Sequence, residues 1–193
     1  FVIDGSKALR RAIDTGFGAG QPVQRCRAHR VRNVLGHLPE PLKDSVKATL
    51  KAAFRLSAPE GSAPLEKQAQ WLEREYPSAA ASLREGLDER FTVNRLGLSS
   101  SLSRCLMTTN LIESPHSGVR LRTRRVIRWK DGAMVLRWAA TAFLEAEKRF
   151  RRIMGYQDLW QLAAYLDGAP KENIEVKTKE LESTVFSPYF FSC

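Results

Sequence analysis

One carboxylate stands at the edge of the most basic stretch of the chain. Glu113 precedes residues 119–130, where arginine and lysine occur among apolar residues and no acid is present. An acid beside so much positive charge is usually taken up in a salt bridge. The same arrangement also suits a site that holds a divalent cation on the carboxylate and a polyanion along the arginines. This segment alone leaves both interpretations open.

A helix over residues 110–125 would organise this stretch into two stripes. One, facing solvent, would carry Glu113, Ser117, Arg120 and Arg124. The other, which we expect to be buried, would carry Ile112, Val119 and Val126. Pro115 would kink a helix already under way but is tolerated where a helix begins. With Ser114 as the cap, Glu113 would then lie in the preceding loop.

Asp4 is a second candidate ligand, because it follows an apolar segment and precedes a glycine. Residues 1–3 have the apolar, β-branched character of a buried strand. Ligands of open α/β sheets bind at the carboxyl ends of such strands. The commoner role of an aspartate at this position is to start a turn or to cap the next helix.

Cys26-x-x-His29 has half the spacing of a zinc site. No second pair follows at a suitable distance, since His37 and His116 are isolated. We therefore expect Cys26 to be a small buried residue at the end of a strand, and His29 to open the next helix.

The scaffold for these residues is predicted to begin as an α/β layer. Residues 1–38 predict a strand, a helix capped by Ser6, a second strand around Val23 and a second helix. Residues 39–105 predict helices only, with a linker at 57–64 and a closing loop at 97–103.

Further helices are predicted after the basic stretch, at residues 133–154 and 156–166. On the first of them, one side would carry Val135, Ala139, Ala142, Ala146 and Phe150. The tail from Pro170 has little periodicity and is predicted to be disordered or foreign to the domain. The fold class is therefore α/β, predominantly helical overall.

Composition narrows the class of partner. The 193 residues carry a net charge of +10 with a pI of about 9.9, which favours a polyanion, nucleic acid before an anionic membrane surface. No apolar run approaches the roughly 18 residues of a membrane span. Three irregularly spaced cysteines argue against a disulfide framework and favour a reducing, cytoplasmic setting.

Three segments together resemble the Mutator-type family of bacterial insertion-sequence transposases, over residues 1 to about 166. They are Ile3-Asp4-Gly5, the stretch Gln24–Val34 that contains Cys26-x-x-His29, and Thr108–Arg125. The resemblance implies a partial RNase H-like catalytic fold with an all-helical insertion. It also implies an Asp-Asp-Glu triad that binds two divalent metals, normally Mg²⁺.

Within this resemblance, Asp4 matches the second aspartate of the triad and Glu113 its glutamate, so both would be catalytic metal ligands. Cys26 and His29 match a family signature of uncertain role. Four arginines would hold the phosphates of transposon ends and target DNA: Arg120, Arg122, Arg124 and Arg125.

The resemblance also divides the chain. Residues 1–38 would belong to the catalytic core, 39–105 to the helical insertion, 106–166 to C-terminal catalytic helices with a basic DNA-binding face, and 167–193 to the tail. We expect a cytoplasmic, nucleoid-associated protein that forms a homo-oligomer when full length.

Two departures from the family pattern bear on activity, and Pro115, two residues after Glu113, is one of them. The first aspartate of the triad would lie upstream of Phe1, so we expect a truncated and inactive fragment of an enzyme for DNA cleavage and strand transfer. The alternative is a non-catalytic, DNA-binding remnant of a transposase. An unrelated basic, helical RNA-binding protein is a third class, which the order of the motifs disfavours.

Overall fold

The computed structural model describes residues 1–168, and this part of the chain is predominantly helical, as predicted. Two strands and ten α-helices follow one another in the order β1 (Val2–Ile3), α1 (Lys7–Phe17), β2 (Gln24–Arg25), α2 (Arg27–Gly36), α3 (Glu40–Ala53), α4 (Ala58–Glu73), α5 (Pro77–Arg84), α6 (Thr92–Arg95), α7 (Ser100–Leu106), α8 (Asn110–Thr123), α9 (Gly132–Glu147) and α10 (Leu159–Leu166). Short 3-10 turns precede α6 and α10. The tail predicted from Pro170 lies outside the described residues.

The chain opens with a small parallel layer. β1 pairs with β2, Val2 opposite Gln24 and Ile3 opposite Arg25, and α1 forms the crossover between them. The Ser6 hydroxyl accepts a hydrogen bond from the Leu9 amide (3.3 Å), which confirms the predicted helix cap. The predicted strand, helix, strand, helix order is therefore present, although each strand has only two residues.

The all-helical segment 39–105, for which the name helical insertion is kept here, forms the main core of the described chain together with α2. Helix α4 packs between α3 and α5, and α2 packs against α5. The buried apolar cluster comprises Val34, Leu38, Val46, Leu50, Ala53, Phe54, Leu65, Ala69, Leu72, Ala79, Ala80, Leu83 and Phe91. Gly61 allows the close approach of α4, because a Cβ there would lie 2.5 Å from both the Ala53 carbonyl oxygen and the Phe91 ring. The prediction of helices without strands over residues 39–105 is confirmed.

The predicted linker at 57–64 is wrong, and the predicted loop at 97–103 holds only as far as Ser99, in both cases because a serine starts a helix. The segment 57–64 lies almost wholly in α4, whose start is stabilised by a capping box between Ser57 and Glu60. The segment 97–103 contains the start of α7, where the Ser99 hydroxyl accepts from the Leu102 amide (3.4 Å). Serine-rich composition favours loops, but a serine that caps a helix with buried leucines behind it starts one.

Helices α8 and α9 pack against each other beyond the insertion. The contact is close because Gly118 faces Ala146, and a Cβ at Gly118 would lie 3.3 Å from the Ala146 Cβ. The predicted burial of Ile112 is wrong, since this residue is 60% exposed. Helix α9 also ends at Glu147, before Phe150, which is exposed as well.

Candidate metal and nucleic-acid site

The Glu113 carboxylate is carried by the first turn of α8. The helix begins at Asn110, so Pro115 lies inside it and does not start it. The Thr109 carbonyl accepts from the amides of both Ile112 (3.1 Å) and Glu113 (3.0 Å), which fixes this turn before the proline is reached. The position of Glu113 is therefore set by helical geometry, and its charge lies where the helix dipole favours an anion.

The start of α8 is joined to the start of α2. Cys26 is only 1% exposed and stands directly after β2, at the N-cap of α2. Its sulfur accepts a hydrogen bond from the Thr109 amide (3.4 Å), and the Arg27 amide donates to the Met107 carbonyl (3.0 Å). Cys26 is thus the buried strand-end residue that the sequence predicts, and it also anchors the helix that carries Glu113.

Glu113 lies against the Cys-x-x-His segment. The ligand atoms of Cys26, His29 and Glu113 all lie within 4.8 Å of one another, and His29 Nδ1 is 3.6 Å from Glu113 Oε1. The Thr109 hydroxyl lies among them, 3.3 Å from both Cys26 Sγ and His29 Nδ1, and donates to Glu113 Oε1. The sequence alone does not predict that these four residues meet. The one feature of the sequence that points to the contact is Thr109 at the N-cap of the helix whose first turn carries Glu113.

Asp4 is placed by β1 but is not a member of this group. Its Oδ1 accepts from the Ser6 amide (2.9 Å), so it starts the turn into α1, as the commoner interpretation of the sequence suggests. The Ile3 carbonyl accepts from the Cys26 amide (2.7 Å), so the backbone before Asp4 is bonded directly to the backbone of the Cys26 segment. Asp4 and Glu113 therefore flank the same strand-end junction.

An open groove leads from Glu113 along α8. Its volume is about 790 Å³, and it is lined by His29, Arg32, Asn110, Glu113, Ser114, His116, Ser117 and Arg120. The groove confirms that Glu113, Ser117 and Arg120 share one stripe, as the helical spacing predicts.

The arginines beyond Glu113 do not all face solvent in the same way. Arg120, Arg124 and Arg125 are exposed, and within residues 1–168 none of them lies within 4.0 Å of a carboxylate. Arg122 is half-buried and donates to the Gly118 carbonyl (3.1 Å) and to the Glu145 carbonyl (3.5 Å), so its guanidinium ties α8 to α9. The salt-bridge alternative for Glu113 is not realised with these arginines, because its ionisable neighbour is His29.

Buried arginines connect the site to the insertion, a feature that sequence reasoning missed. Arg27 is 6% exposed, donates to the carbonyls of Arg90 (2.8 Å) and Phe54 (2.9 Å), and lies over the rings of Phe54 and Phe91. Burial lowers the pKa of Arg27 to about 10 and, aided by repulsion from nearby arginines, that of Arg90 to about 9. Both side chains remain cationic at neutral pH and form a polar joint between α2 and the insertion.

A carboxylate in a groove that two arginines also line can hold a cation close to a bound polyanion. The family model described as "Transposase, Mutator family" matches residues 1–152, and the chain belongs to this family. The chain is also similar to the "Transposase for insertion sequence element IST2" of Acidithiobacillus ferrooxidans, with 30% identity over 175 residues. That alignment covers 86% of this chain but 57% of the relative, so the chain spans little more than half of the relative's length.

Among residues 1–168, none of the helices combines the length and the apolar character that crossing a membrane requires.

Proposed function

We propose that this chain contributes Asp4 and Glu113 to the metal site of a DDE-type transposase with an RNase H-like core, and that it holds DNA along α8. The observation that carries the proposal is the position of Glu113 in the first turn of α8, in a groove that Arg32 and Arg120 also line. The parallel strands, with Asp4 directly after one of them, support the comparison with an RNase H-like core.

The donor set fits magnesium. Hard divalent cations prefer oxygen ligands, and both candidate side chains are carboxylates. Each carboxylate has about four acceptor positions, so the bonds from Ser6 to Asp4 and from Thr109 to Glu113 leave acceptors for a cation. The Glu113 side chain is 44% exposed, so an ion can reach it from the groove. Two bound metals would stabilise the attacking and leaving oxygens of a phosphoryl transfer.

The protein's own residues would position the DNA beside these carboxylates. Arg32 and Arg120 line the same groove as Glu113, and Arg124, the C-cap residue of α8, continues the stripe formed by Glu113 and Arg120. Arginines bind phosphate oxygens in a forked geometry, which fixes the register of the DNA without reading its sequence. A backbone phosphate held by Arg120 would lie close to a metal held by Glu113.

The first test is metal binding by the chain itself. The chain would be titrated with Mn²⁺, and binding would be measured by electron paramagnetic resonance. We expect Glu113→Gln to weaken Mn²⁺ binding by at least about tenfold, because the substitution removes the charged ligand and the loss of an outer-shell partner alone often has that effect. The matched control is Glu147→Gln, an exposed glutamate on α9. Equal Mn²⁺ affinity in the Glu113 and Glu147 variants would contradict the assignment.

The second test is activity in a longer chain. Residues 1–168 would replace the matching part of the IST2 transposase, and strand transfer of a labelled transposon end would be measured. We expect Glu113→Gln to abolish transfer and Glu147→Gln to preserve it. Full transfer by the Glu113→Gln chimera would remove the catalytic role.

A non-catalytic DNA-binding remnant is the second candidate. Two observations favour it. The Asp4 carboxylate accepts a turn-forming hydrogen bond from the Ser6 amide, and Asp4 lies outside the group around Glu113. This candidate predicts DNA binding that is unchanged by Mg²⁺, by Asp4→Asn and by Glu113→Gln. The metal-dependent site predicts that Mg²⁺ strengthens DNA binding and that both substitutions remove the effect.

A further inference from the structure

We propose that Thr109 and His29 are positioning residues that hold the Glu113 carboxylate in place for its metal, and that Cys26 anchors the three of them. This assigns a physical role to the Cys-x-x-His segment, and it rests on the proposed role of Glu113 as a metal ligand. These roles require no contact between Thr109 and the DNA.

The Thr109 hydroxyl is the hub of the arrangement. It contacts Glu113 Oε1, lies 3.3 Å from His29 Nδ1 and lies 3.3 Å from Cys26 Sγ. A hydroxyl has one proton and two acceptor positions. The ionised carboxylate is the strongest acceptor of the three neighbours and takes the proton, because charge-assisted hydrogen bonds are the stronger ones. The hydroxyl oxygen can then accept from the imidazole, while the Cys26 sulfur accepts from the Thr109 amide (3.4 Å).

This assignment fixes the protonation of His29. For the Thr109 hydroxyl to accept from the imidazole, Nδ1 must carry a proton. In the neutral imidazole the proton is then absent from Nε2. His29 lines the groove, so its ring forms one wall beside Glu113 while its Nδ1 supports the hub.

The spacing of the Cys-x-x-His segment follows from the helix start. Cys26 is the N-cap of α2, and His29 is three residues later, one turn above it on the same side. The thiol therefore meets the Thr109 amide (3.4 Å) while the imidazole meets the Thr109 hydroxyl. Cys26 is 1% exposed and Thr109 8%, so loss of the sulfur would leave a buried amide without its partner.

A thiophilic metal such as Zn²⁺ is the competing use of the same residues. The ligand atoms of Cys26, His29 and Glu113 lie within 4.8 Å of one another. Zinc, however, requires ligands at about 2.0–2.3 Å, and the space among the three is taken by the Thr109 hydroxyl, 3.3 Å from two of them. The hub is therefore the arrangement that the contacts favour.

The test compares two substitutions at Thr109 with one on the same helix. Thr109→Val keeps the shape and removes the hydroxyl, whereas Thr109→Ser keeps the hydroxyl. Thr123→Val is the matched control, because Thr123 donates only within α8, to the Val119 carbonyl (3.1 Å). We expect Thr109→Val to weaken Mn²⁺ binding about tenfold, as is usual for the loss of a hydrogen bond to a ligand. Thr109→Ser should restore most of that loss, and Thr123→Val should have no effect.

The tautomer of the His29 imidazole provides a spectroscopic readout that a general loss of stability would not change. Nitrogen-15 spectra of the His29 side chain should show a protonated Nδ1 and an unprotonated Nε2 in the neutral ring. Thr109→Val should shift the tautomer balance toward Nε2, while Thr123→Val leaves it unchanged. A His29 that is protonated mainly on Nε2 in the unmodified chain would overturn the hub.

The outcomes separate this inference from the proposed function. If Glu113→Gln leaves Mn²⁺ binding intact, the metal-ligand role fails and the hub fails with it. If Glu113→Gln abolishes binding while Thr109→Val matches the Thr123→Val control, the proposed function stands and the hub alone is wrong. Titration with Co²⁺ provides the last arm: a thiolate-to-cobalt absorption band that disappears in Cys26→Ser would replace the hub with a transition-metal site, and its absence supports the hub.

Discussion

The helical insertion and the pair formed by α8 and α9 use apolar residues in opposite ways. Leu50, Leu65 and Leu83 of the insertion are completely buried. Within α8 and α9 the buried residues are the two small ones, Ala142 and Ala146, while larger apolar residues such as Leu136 and Leu144 are 70% and 63% exposed.

The difference indicates where the stability of the described chain resides. The insertion buries enough apolar surface to hold its helices together, because each buried leucine contributes about 1.5–3 kcal/mol. The α8–α9 pair instead relies on a few individual contacts, such as that of Gly118 with Ala146 between the two helices and that of Thr109 with Cys26 at the start of α8. The candidate site thus lies on the less densely packed α8–α9 region. The contact between Thr109 and Cys26, at the end of β2, connects this region to the rest of the described chain.

The sharpest test of this comparison is a matched pair of leucine truncations. Leu65→Ala should lower the free energy of unfolding by about 2–5 kcal/mol, because it leaves a cavity in a closed core. Leu136→Ala, at a 70% exposed position on α9, should change it by less than about 0.5 kcal/mol. Urea unfolding followed by circular dichroism measures both. Similar losses in the two variants would show that the two regions share one core.

The buried joint between α2 and the insertion should have the next largest effect. Arg27→Met keeps much of the side-chain volume but leaves the carbonyls of Arg90 and Phe54 without their charged donor. We expect a loss of about 2 kcal/mol in the free energy of unfolding. Arg32→Met, at an exposed position on the same helix, is the control and should be nearly neutral. A neutral Arg27→Met would mean that apolar packing alone joins α2 to the insertion.

The sequence predicts the order of elements well but not what holds them together. Ser6 is recognisable as a cap because an apolar helical pattern follows it. Ser57 and Ser99 were missed because proline, glycine and serine around them also suit loops. The buried Arg27 and the Thr109 hub could not be predicted, since both depend on partners more than 50 residues away that only the tertiary fold brings together.

The candidate site is likewise predictable only where it depends on residues that are close in the sequence. Helical spacing along α8 places Glu113 and Arg120 on one stripe, and that is a local property. The meeting of Glu113 with His29 is not local, because it depends on the parallel strands and on the packing of two helix starts. Arg122 illustrates the limit: it shares the composition of the basic stretch, yet the approach of α9 at Gly118 engages its side chain.

Acid should weaken the insertion side of the joint. Partial burial opposes ionisation of Glu85, but hydrogen bonds and charges from Arg30 and Arg25 outweigh it, so the pKa of Glu85 is lowered. A lowered carboxyl pKa gives stability above the ordinary value of about 4.3 that is lost as the pH falls through the folded-state pKa. Because the side chain is 42% exposed, the contribution should stay below about 1 kcal/mol.

The variant Glu85→Gln should therefore lose less stability than the unmodified chain between neutral pH and pH 3, measured by urea unfolding at each pH. Glu75→Gln, an exposed glutamate of the same region, is the control and should follow the unmodified chain. If the Glu85 variant also follows it, the ion pairs with Arg25 and Arg30 contribute nothing measurable to the joint.

Substitutions of basic residues in the two regions should have the smallest effects on the free energy of unfolding. Their effects on DNA binding should differ clearly between the two regions. Arg84 of the insertion is paired with Glu66 (2.9 Å) and Glu73 (2.8 Å), whereas Arg120 on α8 is exposed beside the groove. A free arginine that binds a phosphate releases a counterion, so Arg120→Ala should make the log–log salt dependence of DNA affinity shallower by about 1. Arg84→Ala should leave the slope unchanged, because its charge is already neutralised. Fluorescence anisotropy with a labelled duplex over a range of salt concentrations measures both slopes, and a larger change for Arg84 than for Arg120 would move the DNA-binding surface from α8 to the insertion.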